Sequence, residues 1–300
     1  MFEWNMSVQK MLDCVEENLT GPLTLDMLAE RLNYSPFYCT RQFHKYAAIS
    51  LRNYIRLRKV ISAVIDLRDT HERIIDIAVK YRFSSQEAFT RSFKSAYGMP
   101  PNEYRKMPRP LPLLVKRNVF DPYYLGLGET KVTVDLVKNI TISIQVLPAH
   151  KFIGIRNLDA KYYTEFWKKD EEKYGSDRCD EINGVLSSIK SFNGIIGAWI
   201  YQDGKHGYMY SIEVPPNYAG EVPEGMEYLS FPESHYAVFH HPPYDFCKME
   251  DAVDKALYKA IENWDPAEHG YAWRDDLPTY QRHNPLKYGQ ANLKPMKKLK

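Results

Sequence analysis

Two short stretches carry polar side chains at steps of three and four residues, opposite an apolar stripe. In "SSQEAFTRSFK" (84–94) they are Ser85, Gln86, Thr90, Arg91 and Lys94. In "SPFYCTRQFHK" (35–45) Phe37, Tyr38, Thr40, Arg41 and Lys45 recur in the same way. Residues so spaced share one helix face. The chemistry they offer is recognition of flat heterocycles. A Gln amide pairs with adenine, an Arg fork with guanine, and a Thr with either edge or with a thymine methyl. Lys45 and Lys94 are point charges suited to phosphates, which position a protein without specifying sequence. The solvated face of a helical bundle would use the same residues, so the surrounding elements must decide.

Those elements repeat. Ser35 before Pro36 is a helix start, because Pro at the first helical position loses no hydrogen bond. Ser84 or Ser85 caps the other stretch, which ends near Gly98. Each follows a short helix containing a small residue, Leu28-Ala29 or Ile77-Ala78, and each ends in Arg-x-Phe, Arg41-Gln42-Phe43 or Arg91-Ser92-Phe93. This is a helix-turn-helix made twice, the Ala allowing close crossing. Between the copies, "SLRNYIRLRKVISAVIDLRDT" predicts one helix of about 18 residues, ~27 Å long. Such a rod can set two reading helices about one DNA turn, ~34 Å, apart. One chain could then read two successive major grooves without dimerising. Charge agrees: residues 1–110 hold 17 Lys and Arg against 12 Asp and Glu, and the remainder 23 against 26. A basic first third suits an anionic partner.

Residues 8–105 resemble the AraC/XylS family of transcription regulators, and most of all its MarA/SoxS/Rob branch. The motifs are "IRLRKVISAVIDL", "IIDIAVKYRFSSQEAFTRSFK" and "GMPPNEYR". The resemblance implies double helix-turn-helix binding to promoter DNA and activation through RNA polymerase. By position, Phe37, Thr40 and Arg41 match base-proximal residues of the first reading helix, and Gln86, Glu87, Thr90 and Arg91 those of the second. The chain departs in four places. Arg82 stands where many members have Gly, Ala48 where a Gly usually ends the first reading helix, Phe37 where the branch has Trp, and Glu87 where Gln is common.

After an expected linker at 108–117 the pattern changes. "ITISIQVLPAHKFIGIRN" and "GIIGAWIYQDGKHGYMYSIEVP" read as strands, the latter a hairpin. "YYTEFWKKDEEKYG" and "KMEDAVDKALYKAIENW" read as amphipathic helices. The order suggests two related α+β units forming one domain over 118–300, with a disordered tail from 290. Of its many aromatic residues, Trp199, Tyr201, Tyr208, Tyr210 and Tyr280, with the carboxylate of Glu213, are the candidates for holding a small flat molecule. Alternation sets Glu213 on one strand face with Met209 and Ser211, and Tyr208, Tyr210 and Ile212 on the other.

This region resembles the GyrI-like effector-binding domain through "VLPAHKFIGI", "GYMYSIEVP" and "SHYAVFHHPPYDF". That implies a two-repeat, SHS2-type fold with a drug-binding groove, in a Rob-like order of domains. Family members often carry a Glu two places before a Tyr in the last strand. Here that place is Pro278, before Tyr280, so a neutral or anionic amphiphile fits better than a cation. The expected fold class is therefore multidomain: an all-α double helix-turn-helix domain over 1–107, then the α+β domain.

Several classes are disfavoured. Cys14, Cys39, Cys179 and Cys247 are scattered, with no C-x-x-C, so neither zinc nor a disulfide framework is expected. His235, His240, His241, His269 and His283 form no metal-ligand motif, and no nucleophile elbow or phosphate-cradling Gly loop occurs. No enzyme, metal or cofactor is expected. No apolar run reaches ~18 residues and no secretory leader is visible, which points to the cytoplasm and to no membrane partner. A small-molecule sequestering protein, or a hydrolase using the aromatic groove, are the alternative readings.

Overall fold

Of the 300 residues, the computed structural model describes 2–47, 49–114, 136–175, 178–202, 205–285 and 287–299. The end of the expected linker (115–117) and the start of the expected second domain (118–135) lie outside the described residues. The chain divides into two compact units, Met1–Leu127 with Asp180–Lys190, and Gly128–Cys179 with Ser191–Lys300.

The first unit is helical: α1 (Phe2–Glu17), α2 (Leu25–Leu32), α3 (Pro36–Ala47), α4 (Leu51–Asp69), α5 (Ile74–Lys80), α6 (Gln86–Tyr97) and α7 (Pro101–Lys106). It has two cores, not one. Val8, Met11, Val15, Leu28, Phe43 and Tyr54 join α1, α2, α3 and the start of α4. Val60, Val64, Ile77, Phe89, Phe93 and Tyr104 join the rest of α4 to α5, α6 and α7. Ala29 and Ala78 are both buried at the crossings, the small residues that close helix approach requires. Glu16 fixes α1 to α4: Arg58 donates Nε and Nη2 to its two oxygens at 2.7 Å each, and the Tyr54 hydroxyl donates to Oε1 at 3.1 Å.

The second unit is built on one antiparallel sheet. Its elements are β1 (Thr141–Leu147), β2 (His150–Asn157), α8 (Tyr163–Tyr174), then, after α9 (Cys179–Ser188), which clusters with the first unit, β3 (Ile195–Gln202), β4 (Lys205–Val214), β5 (Glu227–Phe231), β6 (Ser234–His241), α10 (Phe246–Asn263), β7 (Tyr271–Trp273), β8 (Thr279–Asn284) and β9 (Gly289–Lys298). The strands run β1-β6-β9-β8-β3-β4-β2-β5, with β7 on β9. The halves β2-β4-β3 and β6-β9-β8 repeat one plan, first strand, last strand, middle strand, and meet where β8 pairs β3. Helix α8 lies on one half and α10 on the other: Phe166 meets Tyr208 and Tyr210, while Val253, Leu257 and Ala260 cluster with Ala237 and Phe239.

Two features differ from the sequence reading. The tail expected to be disordered is strand β9, paired with β6 and β8. Its lysines mask a strand covered on both faces, in which the neighbours Asn292 and Leu293, and Pro295 and Met296, are all buried. Pro295 has no N–H to give, but its carbonyl accepts from Arg274 N at 3.0 Å, and Lys294 lies over the Trp273 ring. The second feature is α9. It falls between α8 and β3 in sequence yet belongs to the first unit. Arg68 of α4 donates to Ser188 O at 2.7 Å and Leu111 N to Ser188 Oγ at 2.9 Å. A Cβ on Gly184 would stand 2.0 Å from Leu113 O, so only Gly permits this approach.

Strand β9 supplies the test of the first difference. Leu293 is fully buried, so Leu293→Ala is expected to destabilise the sheet unit by ~2–5 kcal/mol in denaturant unfolding, whereas a disordered tail would give no change.

Candidate nucleic-acid interface and effector site

Helices α3 and α6 are the second helices of their two pairs, and both start on a serine. Ser35 Oγ accepts from Tyr38 N at 3.3 Å and Ser85 Oγ from Ala88 N at 3.2 Å. Each satisfies an orphan amide of a first turn. Each helix then buries one stripe, Cys39, Gln42, Phe43 and Ala47 in α3, Phe89 and Phe93 in α6. The opposite stripes are the candidate readers. Phe37 is 75% exposed, and Thr40, Arg41 and Lys45 are exposed beside it. On α6, Gln86, Glu87, Arg91 and Lys94 are exposed and Thr90 is half-buried. A Phe so exposed gains nothing from the core; its face is available to a partner.

Within these faces several groups are already oriented. Arg41 lies over the Tyr38 ring, 5.5 Å from its centroid, and Thr40 donates to Pro36 O at 3.0 Å. The Ser85 hydroxyl, then the residue's own backbone amide, hold the Glu87 carboxyl below the usual carboxylate value, with Arg91 adding a smaller pull. Glu87 is thus a fixed anion that can only accept hydrogen bonds, a device for an amino group on a base edge and against a phosphate. Ser85, expected at the interface, spends its hydroxyl on this cap.

The turns before α3 and α6 share one backbone solution. Asn33 at φ 57° and Arg82 at φ 58° are, among the described residues, the non-glycine ones in the left-handed region. Asn tolerates this locally; Arg does so at a cost. Arg82 Nε donates to Thr20 O at 3.0 Å, which ties the second helix pair to the loop after α1. Burial, then the Arg82 charge, lower the pKa of Lys59 on α4.

In the sheet unit the six aromatic and acidic candidates do not form one site. Alternation sends them to opposite faces. Tyr208 and Tyr210 lie buried under α8, against Phe166 and Trp167. Trp199 packs edge-on to Tyr208 and donates Nε1 to Lys161 O at 2.8 Å, while Tyr201 stands exposed beside His206. These four are helix-covering or surface residues. Glu213 and Tyr280 are together on the other face. Glu213 is only 3% exposed and faces donors from three residues. The Tyr280 hydroxyl lies 3.2 Å from Oε1, and Asn193 Nδ2 lies 2.8 Å from Oε2. Arg282 sends Nη2 to both oxygens at 3.1 and 3.0 Å and Nε to Oε2 at 3.3 Å. Burial first, and the Glu213 charge second, raise the pKa of Tyr280 far above the usual phenol value.

Around this pair stand rings that sequence reasoning missed: His150, Phe152, Phe231 and Tyr236. Phe152 lies 5.0 Å from Tyr280 and 4.8 Å from Phe231; Tyr236 lies 5.7 Å from Tyr280. Arg282 was findable, because it sits two residues beyond Tyr280 on an alternating strand. A separate cleft of about 850 Å³ opens between the end of β2 and α8. Of its charged lining, Arg156 pairs with Glu227 at 2.8 Å and Lys169 with Glu165 at 3.0 Å, and Glu213 is not among the lining residues. Among the described residues no group of three His, Cys, Asp or Glu is placed to hold a metal, and no helix is long and apolar enough to cross a membrane.

Comparison with known proteins adds two family matches. A helix-turn-helix domain family matches residues 28–107, and the integron-associated effector binding protein family (Cass2) matches residues 143–293, half of the chain. The multiple antibiotic resistance protein MarA of Escherichia coli (strain K12) is 38% identical over 100 residues, covering 33% of this chain and 79% of that protein. The HTH-type transcriptional activator AarP of Providencia stuartii is 38% identical over 98 residues, covering 33% of this chain and 73% of that protein. Both similarities span only about a third of the present chain.

The turn at Arg82 can be tested directly. Arg82→Gly loses the Thr20 bond but relieves the left-handed strain, whereas Arg82→Ala loses the bond and keeps the strain. Thermal unfolding should therefore find the Gly variant more stable than the Ala variant by ~1 kcal/mol.

Proposed function

Since the chain belongs to the AraC-type helix-turn-helix regulators, in their MarA/SoxS/Rob branch, and to the integron-associated effector binding family, we propose that it is a ligand-responsive transcription activator. It reads two successive major grooves of one promoter as a monomer. Phe37, Thr40 and Arg41 on α3, and Gln86, Glu87, Thr90 and Arg91 on α6, meet base edges. Lys45 and Lys94 hold phosphates, and Ser85 orients Glu87. RNA polymerase is the partner that activation requires, and the site of action is the cytoplasm. The observation that carries this reading is the pair of exposed polar stripes on two capped helices, both rooted in cores that share α4. At 19 residues α4 is ~28 Å long, close to one turn of the duplex. The sheet unit holds a small effector at the interior face carrying Glu213 and Tyr280, where buried polar groups converge among aromatic rings.

The reading predicts a salt-dependent, two-box interaction. Affinity for a genomic target should fall steeply as salt rises, because counterions are released from contacted phosphates. Arg91→Ala should cost ~1–3 kcal/mol and relax preference at one position in α6's half of the site; Lys94→Ala should weaken all sequences alike. Gel-shift titrations over a randomised target measure both. Equal, salt-insensitive binding by wild type and Arg91→Ala would overturn the assignment.

A further inference from the structure

The Glu213 carboxylate is fully engaged by protein, and the partner that neutralises it is Arg282. The two residues come from strands on either side of β3: β4 carries Glu213 and β8 carries Arg282. The side chain of Glu213 is 4% exposed and that of Arg282 21% exposed, so the guanidinium closes the solvent side of the carboxylate. It lies 5.6 Å from the centroid of the Tyr280 ring, where a bound cation would also gain from the ring face. Behind it, the Tyr236 hydroxyl and His150 Nε2 are buried and have no hydrogen-bond partner among the described residues. Both residues are at most 1% exposed. His150 Nδ1 faces Pro148 O at 2.8 Å, which fixes the proton there and leaves Nε2 as an acceptor. The groups in this interior thus amount to a closed ion pair, two unmatched polar atoms and a wall of rings.

We propose that Arg282 sets the charge selectivity of this interior: by occupying Glu213 it refuses lipophilic cations, and the neutral enclosure that results takes uncharged aromatic molecules bearing a hydrogen-bonding group. The inference rests on the effector reading above. The physical reasons are two. A cation that took Glu213 would have to leave a guanidinium uncompensated in a largely buried place, and breaking one side of such a pair is strongly destabilising. An anion would gain Arg282 only by meeting Glu213 at the same distance. An uncharged ring disturbs neither, buries apolar surface, and can satisfy Tyr236 or His150, whose unmatched state is otherwise a standing cost.

Three fluorescent probes of similar aromatic character separate the cases: N-phenylnaphthylamine (neutral), anilinonaphthalene sulfonate (anionic) and berberine (cationic), titrated against the full chain. Wild type is expected to bind the neutral probe at least about tenfold more tightly than berberine or the sulfonate, a difference of the size one lost charge contact makes. In Arg282→Met, berberine should tighten by about tenfold or more, and in Arg282→Met/Glu213→Gln that gain should vanish while the neutral probe still binds. Near-UV circular dichroism checks folding. Should Arg282→Met fail to fold, the preference of wild type among the three probes decides, and the double variant, which buries no lone charge, reports whether the neutral probe uses this interior. Berberine binding to wild type as tightly as the neutral probe, or unchanged affinity in Arg282→Met, overturns the inference and leaves the effector reading standing. Absence of binding by every probe to every variant overturns the effector reading, and this inference with it.

Discussion

The separation of the two reading helices depends on α4 remaining one helix. Its first turn carries Leu51 and Tyr54 into the first core, and its later turns carry Val60, Ile61, Ala63, Val64 and Leu67 into the second. Each core holds one part of the rod, and each of α3 and α6 is seated in one core only. A backbone ladder of i→i−4 hydrogen bonds therefore stands between two side-chain combs. Such a ladder is stiff over four or five turns. It is anchored at one end by Ser50, which accepts from Asn53 N, and braced in the middle by the Glu16 carboxylate gripped by Arg58 and Tyr54. A bidentate Arg–carboxylate pair of this kind adds geometry more than energy. Here the geometry it fixes is the angle at which α1, and with it the first core, sits on the rod.

The same economy appears in the turns. Asn33 and Arg82 both take left-handed backbone so that the chain can reverse from the first helix of a pair into the second within three residues (33–35) and five residues (81–85). Glycine would adopt this conformation without strain. At the second turn the chain keeps arginine, and the guanidinium reaches Thr20 O across the boundary between the two halves. A local strain of ~1 kcal/mol is offset by a charge-assisted hydrogen bond of comparable worth. What is gained is not stability but a second constraint, independent of α4, on how the helix pairs face each other.

The helical unit was legible because its determinants are local. Ser caps, Ala crossings, Arg-x-Phe ends and an uninterrupted 3.6-residue period each act within a turn or two, and each appears in the structure where spacing placed it. The sheet unit was less so. Period-two alternation correctly divided Glu213 from Tyr208 and Tyr210, and that division already implied that the three could not line one surface; grouping them by residue type overrode it. Strand β9 was hidden because its lysines and Pro295 lower its average apolarity, while what holds it is pairing with β6 and β8, far off in sequence. Helix α9 was hidden for a similar reason. Its seat is made by Arg68, Leu111 and Leu113, some seventy residues or more upstream, and nothing in "CDEINGVLSS" announces them.

The two buried polar clusters of the sheet unit are built in opposite ways. Beneath α10, the Tyr244 hydroxyl lies 2.6 Å from both Glu250 and Gln290, His283 lies 3.0 Å from Glu250, and Asp254 receives Gln281 and Gln290. Burial raises the pKa of Asp254, the expected effect on a carboxyl withdrawn from water. Every one of these groups has a partner, and together they stitch α10 to β8 and β9; a network closed on itself specifies packing and has nothing left to offer a ligand. His241 at its margin keeps Nε2 without a partner among the described residues, but burial lowers its pKa, so what is buried is a neutral ring. The Glu213 cluster is built the other way round. Its charges are closed on each other, and its open valences belong to neutral groups on aromatic walls. A ligand seated against that face would, on the inference above, be sorted by shape and polarity, with formal charge set against it from both directions.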